Sequence, residues 1–315
     1  MTRCLKATHQ HIAQAAEALR AGGLVAFPTE TVYGLGADAG SDASVARIFK
    51  AKGRPRFNPL IVLVENADYA SKLSEVDDLS HCLIESFWPG PLTLVLPRRA
   101  DAALSLLLSA GHDTIAMRAP AHEVAQDLLH AFGGPLAAPS ANRSAKFSPT
   151  SAAHVADSLG PEVPLILDGG PCPRGLESTI VRTGGGNVTL LRPGALPRAD
   201  IEAVLGQRLF QPEESDAPPA LGQRGGHYSP RHPVRLNAHH VAADEALLAF
   251  GSALEGANVA LLNLSPAGDL TEAAAHLFAY LRALDQTPCT RIAVMPIPLH
   301  GLGEAINDRL TRAAG

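Results

Sequence analysis

The sequence is poor in the features that announce a ready-made chemical class. Its four cysteines, Cys4, Cys82, Cys172 and Cys289, are scattered and form no CxxC pair. That argues against a disulfide frame or a thiolate zinc site, and for free thiols in a reducing compartment. No apolar run approaches the roughly 18 residues of a membrane span. The opening stretch MTRCLKATHQH also lacks the apolar segment of a secretory leader. A cytoplasmic location is therefore expected. With a net charge of −5 there is no polybasic field to advertise nucleic acid or an anionic membrane. GxxxxGK[ST], HExxH and GxSxG are all absent. GLGADAG (34–40) echoes a dinucleotide fingerprint, but polar and turn residues separate it from the preceding strand, so the tight strand–glycine–helix turn is missing. His239–His240 and His9/His11 read as surface histidines, not metal ligands.

What remains is a chain of 315 residues, 46% hydrophobic and 18% charged, long enough for one large domain or two ordinary ones. Residues 209–315 hold 7 Lys and Arg against 11 Asp and Glu, and all five lysines lie at or before Lys146. A site that handles anions is thus expected in the first two-thirds.

Helical spacing of Ile12, Ala15, Ala16 and Leu19 predicts a helix ended by Gly22–Gly23. A helix capped by Ser41 or Asp42 should run through Ala51. Further helices are expected over Ala121–Phe132 and Ser151–Leu159. Buried strands are expected at Leu24–Phe27, Pro59–Val64, Leu92–Leu96, Leu136–Ala138, Leu165–Leu167, Ser178–Arg182 and Val188–Leu191. Residues 211–233 carry five prolines and three glycines and read as a linker or ordered loop. Beyond it, Val241–Leu254 reads as a helix, Val259–Leu264 as a strand, Leu270–Leu284 as a helix, Arg291–Pro296 as a strand and Gly303–Arg312 as a helix. Strands and helices alternate irregularly, which points to a mixed α/β sheet followed by a smaller α/β domain.

The chemical content sits in polar, Gly- and Pro-rich loops at strand ends: PTETVYGLGADA (28–39), KAKGRPRFNPL (50–60), TIAMRAP (114–120), PSANRSAKFSPT (139–150), DGGPCPRGLESTIVR (168–182) and LLRPGALP (190–197). Each supplies hydroxyls or arginines, the groups that cradle phosphate oxygens and form charge-assisted bonds to anions. Together they suit a crevice for a small polyanionic ligand.

PTETVYGLG, KGRPRFNPLIV, FWPGPLTLVL, APSANRS…SPT, LESTIV and LRPGA follow one another in an order that resembles the Sua5/YciO/YrdC family. The likeness spans roughly residues 10–200, and HYSP (227–230) extends it into the linker. It implies a twisted, mixed-sheet YrdC-like α/β domain (1–208) and a smaller Rossmann-like α/β domain (234–315), joined by a linker (209–233) whose length and prolines suit an active-site lid. It also implies an enzyme that makes threonylcarbamoyl-adenylate and pyrophosphate from L-threonine, bicarbonate or CO2, and ATP with Mg2+. The product would pass to a tRNA threonylcarbamoyl transferase complex for modification of adenosine 37. The alternative within the resemblance is a YciO-like RNA-binding protein without this synthesis.

By match, Thr31, Arg118, Ala138 and Ser178 would hold L-threonine, with glycines of PTETVYGLG letting the backbone approach it. Arg54, Asn58, Thr114, Ser140, Ser148, Arg192 and Tyr228 would hold ATP. Lys52 is a further phosphate candidate by charge and spacing, and Lys52 with Arg54 would serve the chemistry. Two positions depart from the family: Leu63 stands where a histidine is common, and GQRGGHYSP keeps the tyrosine of a more basic run but lacks its lysine.

Overall fold

A computed structural model describes residues 2–212, 228–256 and 258–315. The first part contributes strands β1 (Arg3–Lys6), β2 (Val25–Phe27), β3 (Gly34–Asp38), β4 (Ile61–Leu63) and β5 (Leu92–Pro97). They are followed by β6 (Thr114–Arg118), β7 (Leu136–Ala137), β8 (Leu165–Asp168), β9 (Thr179–Gly184) and β10 (Asn187–Arg192). The helices here are α1 (His9–Arg20), α2 (Asp42–Lys52), α3 (Ala67–Leu73), α4 (Asp78–Phe87), α5 (Glu123–Phe132), α6 (Ala152–Leu159) and α7 (Arg198–Leu205). The second part adds β11 (Val234–Arg235), β12 (Glu245–Ala249), β13 (Ala260–Asn263), α8 (Leu270–Leu284), β14 (Arg291–Val294) and α9 (Leu302–Ala314).

The ten strands form one mixed sheet in the order β1-β8-β2-β3-β7-β4-β6-β5-β9-β10. Parallel pairs such as β4 with β6 sit beside antiparallel ones such as β5 with β6. The second sheet, β11-β14-β12-β13, is parallel throughout. The expected fold class, a mixed-sheet domain with a smaller α/β partner, is what the chain adopts.

Local chemistry explains the boundaries. Ser41 accepts from Ser44 N at the start of α2, and Gly53 ends the helix in the left-handed region at φ 60°. Ser151 caps α6 in the same way, accepting from His154 N. The expectation for Val241–Leu254 is corrected: this stretch holds a strand, β12, not a helix. Its residues EALLA are buried on both faces between β13 and β14, so continuous apolarity here marks a central parallel strand. Of the expected lid, residues 213–227 lie outside the described residues.

The two sheets share packing. One apolar cluster joins Val32, Phe147, Leu176 and Ala195 of the first part to Tyr228, Phe278, Leu281 and Leu310 of the second. Gly175, at φ 66°, lets the 168–178 loop run against α8: a Cβ there would stand 2.3 Å from the Ala274 carbonyl oxygen. Among the described residues no helix is long and apolar enough to cross a membrane.

Candidate active site

Strand register assembles the centre of the site. Leu63 ends β4 directly beside Arg118, which ends the parallel strand β6. Ala138 follows β7 and donates its N–H to the Ile61 carbonyl. Ser178 precedes β9, and Arg192 ends β10. These ends surround a solvent-open cavity with both polar and apolar lining residues.

The hydroxyls of PTETVYGLG mostly hold the loop itself. Thr29 Oγ1 donates to the Val32 carbonyl at 2.7 Å, so its 2.8 Å contact with Thr31 must use the Thr31 proton. Thr31 in turn accepts from Arg118 Nη1 at 2.9 Å. Tyr33 is buried and donates to the Gly170 carbonyl at 2.7 Å. Gly36 makes room for a neighbour, not a ligand: a Cβ there would lie 2.7 Å from the Phe27 ring. Thr31 and Gly34 are the members of this stretch that, with Thr29 and Val32, also line the cavity.

Arg118 is held from three sides. Its Nε donates to the Gly90 carbonyl at 3.0 Å, Nη1 reaches Thr31, and Nη2 lies 2.7 Å from Glu30 Oε2. The Glu30 contact is close but not aligned: neither Glu30 oxygen, nor Arg118 Nη2, has a directed hydrogen bond. The pair is electrostatic, and Nη2 retains hydrogen-bonding capacity.

Two further arginines line the same cavity. Arg54 donates from Nε and Nη2 to the carbonyls of Asn58 and Pro59. Arg192 donates from Nη2 to the Ser178 carbonyl at 2.8 Å and its hydroxyl at 3.3 Å, while its buried Nε has no partner. Burial first and Arg192 second bring the Arg54 guanidinium down to about 10. Burial and the neighbouring Arg309 lower Arg192 likewise. Neither arginine forms an ion pair with a carboxylate among the described residues.

Of the residues expected at the site, the cavity gathers Thr31, Arg54, Arg118, Ala138, Ser140, Ser148, Ser178, Arg192 and Tyr228. Lys52, Asn58 and Thr114 are not among its lining residues. Lys52 is buried behind the wall, donating at 2.5 Å to the carbonyls of Ser140 and Asn142, and burial with nearby Arg54 depresses its pKa strongly. These two bonds fasten the SAN loop. Asn58 lends its carbonyl to Arg54, and Thr114 opens β6 opposite Pro97.

The sequence reading missed Glu30, Lys146, Glu177 and Arg309. Lys146 and Glu177 line the cavity. Arg309 carried a signal, since it falls on the buried face of α9 with Ala305, Ile306, Leu310 and Ala313. No group of three metal-ligating side chains stands close enough to hold a metal ion among the described residues.

Known proteins resemble this chain over most of its length. A Sua5/YciO/YrdC family model, described as "Telomere recombination", matches residues 17–194. A second, described as "Threonylcarbamoyl-AMP synthase, C-terminal domain", matches residues 196–315. A threonylcarbamoyl-AMP synthase of Pyrococcus abyssi is 39% identical over 96% of this chain and 93% of its own length. One from Bacillus subtilis is 37% identical over 99% and 95%. Among solved structures, P. abyssi Sua5 complexed with L-threonine superposes with a TM-score of 0.91 at 36% identity, covering 100% of this chain and 98% of that one. E. coli YciO gives 0.57 at 26% identity over 62% of this chain and 96% of its own.

Proposed function

The chain belongs to the Sua5/YciO/YrdC family, and on that premise we propose that it is an L-threonylcarbamoyladenylate synthase. It would join L-threonine, bicarbonate or CO2, and ATP into threonylcarbamoyl-AMP and pyrophosphate. The observation that carries this reading is a single cavity lined by three arginines, Arg54, Arg118 and Arg192, together with the apolar Val32, Ile61, Leu63 and Ala138. In this reading Arg118 and those apolar residues form one station, and Arg54 with Arg192 forms a second. The first station fits an amino acid with a small apolar end, and the second fits a polyphosphate.

In this reading Arg118 Nη2 receives the threonine carboxylate and the methyl group meets Ile61 and Leu63. The threonine amine and CO2 form a carbamate, whose oxygen attacks the α-phosphorus and displaces pyrophosphate. The substrate supplies the nucleophile, so the protein's work is positioning and stabilising charge on the transferring phosphorus. Mg2+ would enter with the triphosphate, held mainly by phosphate oxygens and water. The cavity is dominated by cations, which suits a metal that arrives already bound. Residues 1–208 would carry the chemistry, 209–233 the connection and 234–315 the support. The product would be delivered in the cytoplasm to a tRNA threonylcarbamoyl transferase complex.

The deciding experiment is pyrophosphate release from ATP and bicarbonate, with and without L-threonine. Threonine-dependent release and recovery of threonylcarbamoyl-AMP are expected. RNA binding without any threonine-dependent release would replace this reading with that of a YciO-like binding protein.

A further inference from the structure

One wall of the cavity is governed by a side chain that does not touch it. Arg309, on α9 of the second domain, is completely buried. Its Nε donates to Glu177 Oε2 at 2.9 Å, Nη2 donates to the Pro193 carbonyl at 2.9 Å, and Nη1 pairs with Asp308. The other Glu177 oxygen, Oε1, accepts two hydroxyl protons, from Ser148 at 2.5 Å and from Tyr228 at 2.9 Å. Tyr228 is fixed further by stacking on Phe278, with ring centres 5.2 Å apart, and by the Arg309 guanidinium 5.8 Å from its ring. Ser148, Glu177 and Tyr228 all line the cavity, and Arg309 stands behind them.

A hydroxyl has one proton to give. While Glu177 is ionised it takes the protons of both Ser148 and Tyr228, so either hydroxyl can meet a ligand only as an acceptor. Phosphate oxygens need donors, and these two hydroxyls offer them none. Ribose hydroxyls and the adenine amino group are donors, and they match these acceptors. A Glu177 stripped of its arginine would be a buried, poorly compensated carboxylate, and such a group tends to take up a proton. It would then donate for itself, and the two hydroxyls would be free to turn. Burial alone would raise the Glu177 pKa, but Arg309 and Arg192 outweigh burial and hold the group ionised.

We propose that Arg309 is a positioning residue that sets the polarity of this wall: through Glu177 it turns the Ser148 and Tyr228 oxygens into acceptors for the nucleoside donors of ATP, leaving the phosphates to Arg54 and Arg192. The inference rests on reading the cavity as an ATP site. It gives the second domain a defined part in nucleotide selection, although none of that domain's helices or strands reaches the cavity.

The test measures binding of ATP, inorganic triphosphate and L-threonine to full-length variants by calorimetry. In Arg309→Gln, ATP should bind at least tenfold more weakly, while triphosphate and threonine change less than twofold. Arg309→Lys keeps the charge and should recover at least a third of the lost ATP affinity on a logarithmic scale. Ser148→Ala should show the same loss confined to ATP, and the Ser148→Ala/Arg309→Gln double variant should be little worse than either single one. Comparing 2′-deoxy-ATP with the triphosphate of purine riboside identifies the donor, since the analogue lacking it binds wild type and Ser148→Ala alike. Equal losses for ATP and triphosphate, or unchanged ATP binding in a variant with a wild-type circular dichroism spectrum, overturns the proposal. Should Arg309→Gln not fold, Ser148→Ala decides alone, by whether its loss is confined to ATP. Wild-type ATP binding and threonine-dependent product formation are read first. Their failure strikes the synthase reading, whereas their success with a flat ATP-to-triphosphate ratio removes only the role of Arg309.

Discussion

Arg118 Nη2 lies 2.7 Å from Glu30 Oε2, with both side chains less than a tenth exposed. The partner of Arg118 therefore comes from the PTET segment itself, one residue before Thr31. Arg118→Ala should weaken threonine binding by about 1.5–3 kcal/mol, the scale of a hydrogen bond to a charged group. ATP binding should change much less. Because the substitution strands a buried carboxylate, it should also destabilise the fold by about 3–5 kcal/mol, and Glu30→Gln in the same chain should restore part of that loss. Calorimetry and denaturant unfolding read the two effects separately. An ATP loss larger than the threonine loss would remove Arg118 from the amino-acid station.

Leu63 and Ile61 give the cavity an apolar side, which on the proposed reading meets the methyl group of threonine. L-threonine should remain the preferred substrate over L-serine, by about the 1–3 kcal/mol that one carbon contributes in an apolar pocket. Rates of product formation with the two amino acids, over one concentration range, check this. Equal use of serine would mean that Leu63 has reshaped the site.

Glu177 gives stability a pH signature. Burial opposes its ionisation, but Arg309 and Arg192 prevail and hold its carboxyl down to about 2. A group depressed in the folded state stabilises fully above the ordinary carboxylate range and loses that contribution as pH falls through the folded value. Stability attributable to Glu177 should thus be level from pH 8 to about 5 and decline toward pH 2, by about 3 kcal/mol in all. Denaturant unfolding of wild type and Glu177→Gln across this window should show the wild type losing more. Parallel curves would mean that Glu177 is not held in this way.

Truncation after Arg208 removes Tyr228, Phe278 and Arg309 together. It uncovers Val32, Phe147 and Leu176, which pack against the second domain. Loss of that burial should cost on the order of 5 kcal/mol, seen as a lower melting temperature and binding of an apolar dye. Activity should fall with it. A truncated chain with wild-type melting and wild-type product formation would show the second domain to be dispensable.

The sequence revealed the apolar strands well, because runs such as PLIVLV and LTLVL have one comfortable destination, the middle of a sheet. It concealed β3, whose two glycines argue against a strand until Phe27 is seen filling the space beside Gly36. It misdirected at β12, since a short apolar run has the same appearance in a buried helix. The helices α3 and α4 went unread although Asn66 and Asp77 cap them in the ordinary way. At the site, Arg54, Arg118 and Arg192 were legible because each sits in a dense local motif. Glu177 and Arg309 were not paired, because 132 residues separate them and only the folded chain brings them to 2.9 Å.

The apolar cluster shared by the two sheets bears on how chains of different length arise in this family. The first domain turns Val32, Phe147, Leu176 and Ala195 toward its neighbour as one flank of a common core. A clean cut at the linker would turn that flank toward water, at a cost that grows with its apolar area. A shorter relative that folds without a second module should therefore carry polar side chains at the positions matching Val32, Phe147, Leu176 and Ala195.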